Sequence, residues 1–216
     1  PGGAPTGERL LSAMEKNLRF EARKTRMLMT VEGRRTRSYE MVSYARGEED
    51  AAMEYVAPAR DKGTRMLKLG DELWIYLPNV DRVQKISGHM LREGMMGSDL
   101  SYEDMMASRE LRKRYNARVT GAADQDGRSC WVLELKAKDD RVTYPKRITY
   151  VDKQTYVPVK QELYALSGML LKTWSMSDVK EFGSGRKFPT KMTVEDHVKK
   201  QSVTRLEFKE MEFNVK

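Results

Sequence analysis

Acidic side chains cluster in the stretch GSDLSYEDMM, where Asp99, Glu103 and Asp104 lie close together. Two such carboxylates could act as the proton donor and acceptor of a glycosidase. Acidic residues near a helix start have another common use, because they bond free backbone N–H groups and complement the helix dipole. Ser101 with Asp104 three residues later resembles such a capping pattern. The sequence therefore favours a short capped helix, from Ser101 to about Arg109, over acid–base catalysis.

The remaining reactive side chains occur without the partners that catalysis or metal binding requires. His89 and His197 have no partner at metal-ligand spacing, and CxxC, HExxH, GxSxG and GxxxxGK[ST] patterns are missing. Cys130 is the single cysteine, so an internal disulfide is excluded. Its strand-like surroundings, SCWVLEL, predict a buried thiol. We therefore expect no enzyme activity, no catalytic residue, no metal and no cofactor.

The charge balance suits anionic partners, but a solvated surface with some excess lysine is the favoured explanation of most of the charge. Lys and Arg together number 40 against 32 Asp and Glu, which gives a net charge of +8. Two basic runs, GRRTR at 33–37 and LRKRY at 111–115, raise the question of nucleic acid. Nucleic-acid binding calls for a basic stripe with aromatic stacking platforms, and no recognisable motif of this kind occurs. We expect a hairpin tip and a helix end at these runs, no nucleic-acid partner, and attraction to anionic lipid headgroups.

The pattern of apolar residues predicts a mainly β fold with a few helices. Apolar residues at helical spacing predict a helix over residues 8–18, with Thr6 as its N-cap. Alternating runs then predict about ten or eleven strands, with a short connection at Gly70-Asp71 and a bulge or strand end near Lys209. A strongly curved antiparallel sheet or half-open β-barrel of about 11 strands, enclosing short helices, fits this α+β pattern best.

The sequence contains no internal repeat and no low-complexity linker that would separate two domains. The opening PGGAPTG has no apolar run, and it predicts a flexible N-terminal tether over residues 1–7. We therefore expect one domain over residues 8–216.

Methionines flank the acidic cluster on both sides, in GMMGSDLSYEDMM. Methionine is unbranched and repacks around variable cargo, so these residues suit the wall or lid of an apolar cavity. Methionines at helical spacing are more commonly plain core, and Trp74 and Tyr76 in ELWIYL fit the core of a sheet equally well. From the residues alone, core packing is the favoured interpretation.

The longer stretch DELWIYLPNVDRVQKISGHMLREGMMGSDLSYEDMM resembles a bacterial outer-membrane lipoprotein-sorting family of the lipoprotein carrier (Lol-type) superfamily. KRITYVDKQTYVPVKQELY and FPTKMTVED are similar to the same family, so the resemblance runs from the first helix to the last strand. The Ser-Asp-Leu-Ser-Tyr-Glu-Asp segment is its most distinctive part. The residues that carry it are Trp74, Tyr76, Pro78, Arg82, Gly97, Ser98, Asp99, Leu100, Tyr102, Asp104 and Met105.

The resemblance implies an eleven-stranded half-open barrel around helices, in the envelope of a bacterium with two membranes. Members of the superfamily hold acyl chains between sheet and helices, and some ferry lipoproteins, receive them or sense envelope stress. It implies a non-enzymatic periplasmic carrier or receptor for lipid or lipoprotein acyl chains. The alternative is a module that senses envelope lipids and acts through protein–protein contact.

With the resemblance, the methionine segment is predicted to line or cover the cavity. The residues expected at the cavity and its lid are Trp74, Tyr76, Met90, Leu91, Met95, Met96, Leu100, Tyr102, Met105 and Met106. Asp99 and Asp104 are expected either to cap the helix or to pair with Arg82 and hold the lid.

The expected partners are lipid or lipoprotein acyl chains, an anionic membrane surface and envelope sorting proteins. The start at Pro1 fits an exported protein whose leader has been removed, and a shortened chain would look the same. Attachment to a membrane through a lipid is a further hypothesis, because bacterial lipoproteins often begin with a lipidated cysteine and such a tether. We expect a monomer.

Overall fold

A computed structural model describes residues 3–18, 20–47, 49–106, 111–199 and 202–214. The helices are α1 (Gly7–Leu18), α2 (Tyr102–Met106) and α3 (Leu111–Arg114). The strands are β1 (Ala22–Glu32), β2 (Arg37–Arg46), β3 (Asp50–Ala57), β4 (Arg65–Leu69), β5 (Glu72–Leu77), β6 (Arg82–Ile86), β7 (Tyr115–Gln125), β8 (Arg128–Ala137), β9 (Lys146–Asp152), β10 (Pro158–Tyr164), β11 (Leu170–Phe182), β12 (Arg186–Asp196) and β13 (Val203–Phe213). None of the helices in these described ranges is long and apolar enough to cross a membrane.

The chain divides into two compact units. Unit 1 takes its residues from 1–18 and 109–200, and unit 2 from 19–108 and 201–216. The strands of unit 2 are neighbours in the order β6-β5-β4-β3-β2-β1-β13, and those of unit 1 in the order β12-β11-β10-β9-β8-β7. Every recorded pairing within the two units is antiparallel. The predicted mainly β fold with few helices is confirmed, while a single domain over 8–216 stays a prediction.

The described residues form thirteen strands, so the expected number of about 11 is wrong. β7 and β9 are strands that alternation of apolar residues does not reveal. In β7 most side chains on both faces keep contact with solvent, and β9 carries Arg147 and Thr149 on the face that also carries Val151. Backbone pairing with neighbouring strands, rather than their own pattern, makes these segments strands.

α1 begins and packs as its sequence predicts. The backbone N–H of Arg9 donates to Thr6 Oγ1 at 3.2 Å, which is the expected N-cap bond. Leu10, Leu11 and Met14 are at most 1% exposed. They form a core cluster with Leu111, Tyr115, Leu133, Leu135 and Val151. α1 therefore covers the β7–β9 part of one sheet face in unit 1.

A bulge lies in β13 at the point where the apolar pattern of the sequence changes phase. Arg26 of β1 pairs with Glu210 and the next residue, Met27, pairs with Phe208, so Lys209 is the extra residue. An extra residue reverses which side chains face the core. The predicted irregularity near Lys209 is confirmed, and one strand continues through it.

Cys130 on β8 is fully buried, as predicted from its surroundings. Burial, followed by the negative charge of Asp152, raises the pKa of this thiol. The thiolate is the reactive species, so native protein at pH 8 should react with a thiol reagent at least about a hundredfold more slowly than unfolded protein. Absorbance after addition of a disulfide reagent measures both rates. Equal rates would contradict this placement of the strand.

Candidate functional site

One residue of the acidic cluster in unit 2, Asp99, is a buried anchor. The Asp99 side chain is 1% exposed. Its Oδ2 accepts hydrogen bonds from Thr204 Oγ1 at 2.7 Å and Ser202 Oγ at 2.9 Å, and its backbone N–H donates to Thr204 Oγ1 at 2.8 Å. Thr204 lies on β13, so these bonds tie residues 88–106, here called the cover segment, to the sheet.

The second acidic residue caps α2. Asp104 Oδ2 accepts hydrogen bonds from the Ser101 backbone N–H at 2.8 Å and from Ser101 Oγ at 2.9 Å. In return, the Asp104 N–H donates to Ser101 Oγ at 3.2 Å. This reciprocal pair is a capping box. The predicted helix is confirmed for Tyr102–Met106, and its predicted continuation to Arg109 lies outside the described residues.

Arg82 lies apart from both carboxylates. It is exposed on β6 and pairs in register with Leu77. Within the described part of the chain, no hydrogen bond or ion pair joins Arg82 to Asp99 or Asp104. The geometry therefore makes Asp104 the cap of α2. Asp99 anchors the cover segment to β13, and neither residue pairs with Arg82.

The cover segment contributes both buried and half-buried apolar side chains. Met95 and Leu100 are 3% and 6% exposed. The half-buried members of the predicted set that lie in the cover segment are Met90, Leu91, Met96, Tyr102, Met105 and Met106. The segment itself consists of short 3-10 turns at Gly88–Arg92 and Met95–Gly97, followed by α2.

Contacts of its polar groups show which sheet face the cover segment occupies. Gln84 Nε2 donates to Met90 Sδ at 3.5 Å. Burial, then interaction with Tyr102 and Tyr39, raises the pKa of Tyr55. Gln84 and Tyr55 share a face with Thr204 by the strand registers. The segment therefore lies over the face that also carries Thr204.

Trp74 and Tyr76 lie on the opposite face of β5. Leu73 and Ile75 are the buried residues of this strand, and successive side chains point to opposite faces. Tyr76 OH donates to Asp81 Oδ1 at 3.0 Å, and Trp74 pairs in register with Leu67, which is 41% exposed. The structure thus brings Met95, Leu100 and Tyr102 together and places Trp74 and Tyr76 elsewhere.

The covered face of unit 2 has a lining that sequence reasoning did not single out. Methionines from four neighbouring strands, each at most 6% exposed, share this face: Met29, Met41, Met53 and Met66. The rings of Tyr39 and Tyr55 pack edge to face beside them, with centroids 6.0 Å apart. The alternation of apolar and polar residues within each strand could have revealed these methionines, because each of them occupies one of the alternate positions that are buried in its strand.

Unit 1 holds a second covered apolar face, under α1. The helix is also fixed by polar contacts, because Glu15 accepts hydrogen bonds from Arg112 N at 3.0 Å and Arg112 Nε at 2.5 Å. Asn17 Nδ2 donates to Thr155 O at 3.1 Å, and Asn17 Oδ1 accepts from Lys187 N at 3.2 Å. Each unit is therefore built as an antiparallel sheet with one apolar face beneath a short helical element.

These features define the class of fold found in lipoprotein-sorting proteins, and the predicted resemblance is confirmed. A family described as "Uncharacterized protein" matches residues 47–216, and the chain belongs to this family. No curated protein shows significant similarity to the sequence.

Solved structures match nearly the whole chain at low sequence identity. A DUF1329 family protein from Desulfovibrio piger has a TM-score of 0.88 and 23% identity, covering 97% of this chain and 92% of its own. A domain from Vibrio parahaemolyticus, described as an outer membrane lipoprotein-sorting protein, has a TM-score of 0.83 and 23% sequence identity. The match covers 97% of this chain and 94% of that domain. A LolA superfamily protein from Nitrosomonas europaea has a TM-score of 0.80 and 24% sequence identity. The match covers 99% of this chain and 96% of that protein. At such identities the likeness establishes the fold alone.

Proposed function

We propose that the protein is a non-enzymatic carrier or receptor that binds acyl chains of lipids or lipoproteins in an apolar cavity between sheet and helices. The methionine-rich face of β1–β4 beneath the cover segment carries this proposal. An acyl chain offers only apolar groups, and each buried CH2 contributes about 0.8 kcal/mol. Methionine adapts to chains of different length because it is unbranched and polarizable.

The cover segment is suited to act as the lid. It has no helix longer than α2, and it is held at Gly97, whose carbonyl accepts a hydrogen bond from Arg37 at 3.4 Å, and at Asp99. Breaking a few polar bonds would expose the methionine face. Direction of transfer would come from differences in affinity between donor and acceptor. Trp74 and Tyr76 lie outside this lining, and the proposal gives Arg82 no role.

The proposed place of action is the periplasm, as a monomer. Support comes from the fold shared with lipoprotein-sorting and LolA superfamily proteins. The net charge of +8 would favour approach to an anionic membrane surface. Attachment to that surface through a lipid and contact with envelope sorting proteins belong to the same proposal.

The test is native mass spectrometry of purified protein, with organic extraction of any bound lipid. Leu100→Glu and Met105→Glu place a charge under the cover segment, and Leu67→Glu places the same charge on the opposite sheet face. We expect lipid on the wild type and on Leu67→Glu, and at least about tenfold less on the two cover variants, because a buried charge is strongly unfavourable beside an acyl chain.

Circular dichroism must show that each variant is folded before its lipid content is compared. Wild-type protein that remains free of lipid, even after incubation with phospholipids and acylated peptides, would refute the proposal. Equal loss of lipid in Leu67→Glu would place the binding surface on the other face.

A further inference from the structure

A row of polar side chains crosses the apolar face of unit 1. Strand registers place Leu133, Thr149, Gln161, Trp174 and Val194 side by side on β8 to β12. The two ends of this row are apolar, and its three central members carry hydrogen-bonding groups. Thr149 and Trp174 flank Gln161 and lie about 10 Å apart, since neighbouring strands are separated by about 4.8 Å.

The hydrogen-bonding groups of this row are unsatisfied. Thr149 is 0% exposed, and both Thr149 Oγ1 and Trp174 Nε1 are buried with no hydrogen-bond partner. Gln161 is half-buried, and its side chain makes no hydrogen bond to any described residue. Buried polar groups are nearly always paired, because leaving one unpaired is costly. Two such exceptions, which flank the half-buried Gln161 on one face, indicate a place where a ligand supplies the missing partners.

The chemistry of these groups restricts that ligand. An indole N–H only donates, a hydroxyl can donate, and an amide N–H2 donates, so all three suit a carbonyl oxygen. The surrounding face is apolar, because Met176 and Val151 lie one row further along the strands, about 7 Å away. A ligand that fits has carbonyl oxygens attached to hydrocarbon chains.

The row on the other side contains two cations and, in register beside Lys172, the buried carboxylate of Asp196. Arg147 and Lys172 lie on the same face, again about 7 Å along the strands. The Arg147 guanidinium contacts the rings of Tyr115 and Tyr144 and donates to Tyr115 OH at 3.0 Å. Among the described residues it has no carboxylate partner. In the direction of the β10–β11 turn, the face thus passes from an apolar row, through a neutral polar row, to a row in which the Arg147 cation lies between Leu135 and Leu163.

We propose that Thr149, Gln161 and Trp174 form a subsite for the ester carbonyl oxygens of an anionic glycerolipid. The acyl chains extend toward Met176, and the headgroup lies toward Arg147. This inference rests on the proposed lipid-binding function, and it assigns a lipid-contacting face to unit 1 in addition to the methionine face of unit 2. The order of groups in such a lipid matches the order of the rows along the strands. The acyl chain corresponds to the row of Met176, the ester to the row of Gln161, and the anionic headgroup to the row of Arg147.

The test compares two lipids that differ only in the carbonyl groups. Short-chain phosphatidylglycerol with ester-linked chains and its ether-linked analogue are added below their micelle concentrations, and binding is titrated by native mass spectrometry. The wild type should bind the ester lipid at least about fivefold more tightly. Thr149→Val keeps the shape and removes the hydroxyl, while Trp174→Phe removes the indole N–H together with one ring, and each should reduce this preference. Ser175→Ala, on the other face of β11, is the matched control and should leave the preference unchanged.

A thermal melt of each variant separates this role from simple packing. For the isosteric Thr149→Val, removing an unpaired buried polar group should leave the Tm equal or higher, so weaker binding of ester lipid together with an undiminished Tm in this variant is the expected signature. Equal binding of both lipids by the wild type, or an ester preference that survives both substitutions, would overturn the inference while leaving acyl-chain binding intact. Binding of neither lipid would count against the proposed function itself.

Discussion

Replacing Asp99 with alanine is expected to lower the free energy of unfolding by about 3 kcal/mol. The carboxylate is buried and accepts hydrogen bonds from Thr204 and Ser202, more than a hundred residues away along the chain. Alanine leaves the Thr204 hydroxyl buried without this acceptor and releases the cover segment from β13. Urea denaturation followed by circular dichroism measures the change. Asp71→Ala, at an exposed turn, should stay within about 0.5 kcal/mol of the wild type.

A double-mutant cycle shows whether the loss comes from the contact itself. Thr204→Val removes the partner hydroxyl while keeping its volume. If Asp99 and Thr204 stabilise the protein through their mutual contact, the losses in free energy of unfolding should not add. The loss in the double variant should then be smaller than the sum of the two single losses by at least about 1 kcal/mol. Strict additivity of the two losses would show that Asp99 acts through other contacts.

Features specified by local chemistry could be predicted from the sequence. The Thr6 cap of α1, the capping box of Ser101 and Asp104, and the bulge at Lys209 all depend on residues within a few positions of one another. Two compact units with separately ordered strands could not be predicted in this way. Unit 2 depends on the pairing of β1 with β13, which are distant in sequence, and in unit 1 the strands β7 and β9 have no clear apolar alternation of their own.

The grouping of the candidate site residues illustrates the same limit. In ELWIYL both parities are apolar, so the pattern cannot tell which face is buried, and Trp74 and Tyr76 turn out to lie opposite Ile75. Met95 and Leu100 were predicted together because they are close in sequence, and both are buried. The four methionines of β1–β4 share a face only through the strand registers. They were individually visible in the sequence, but their common face was not.

The start of α1 shows a different kind of constraint, in which backbone packs directly on backbone. Gly7 is buried at the first turn of the helix, and a Cβ atom built there would lie 2.1 Å from the carbonyl oxygen of Ala117 on β7. That carbonyl belongs to a paired strand and cannot rotate away like a side chain. The other end of the helix is fixed as well, through Asn17 to Thr155 and Lys187. A shift of the helix would therefore disturb contacts at both ends.

Gly7→Ala is accordingly expected to destabilise the protein by about 2–3 kcal/mol, the size of effect found when a packed interior is overfilled. Helix propensity alone predicts the opposite sign, because alanine is favoured over glycine within a helix by about 1 kcal/mol. Denaturant unfolding therefore separates the two effects by direction as well as size. Ser12→Ala, at an exposed position of α1, should leave stability unchanged or slightly raised. A Gly7→Ala variant as stable as the wild type would mean that α1 does not approach β7 through its backbone, and the apolar face that the helix covers would then need a different arrangement.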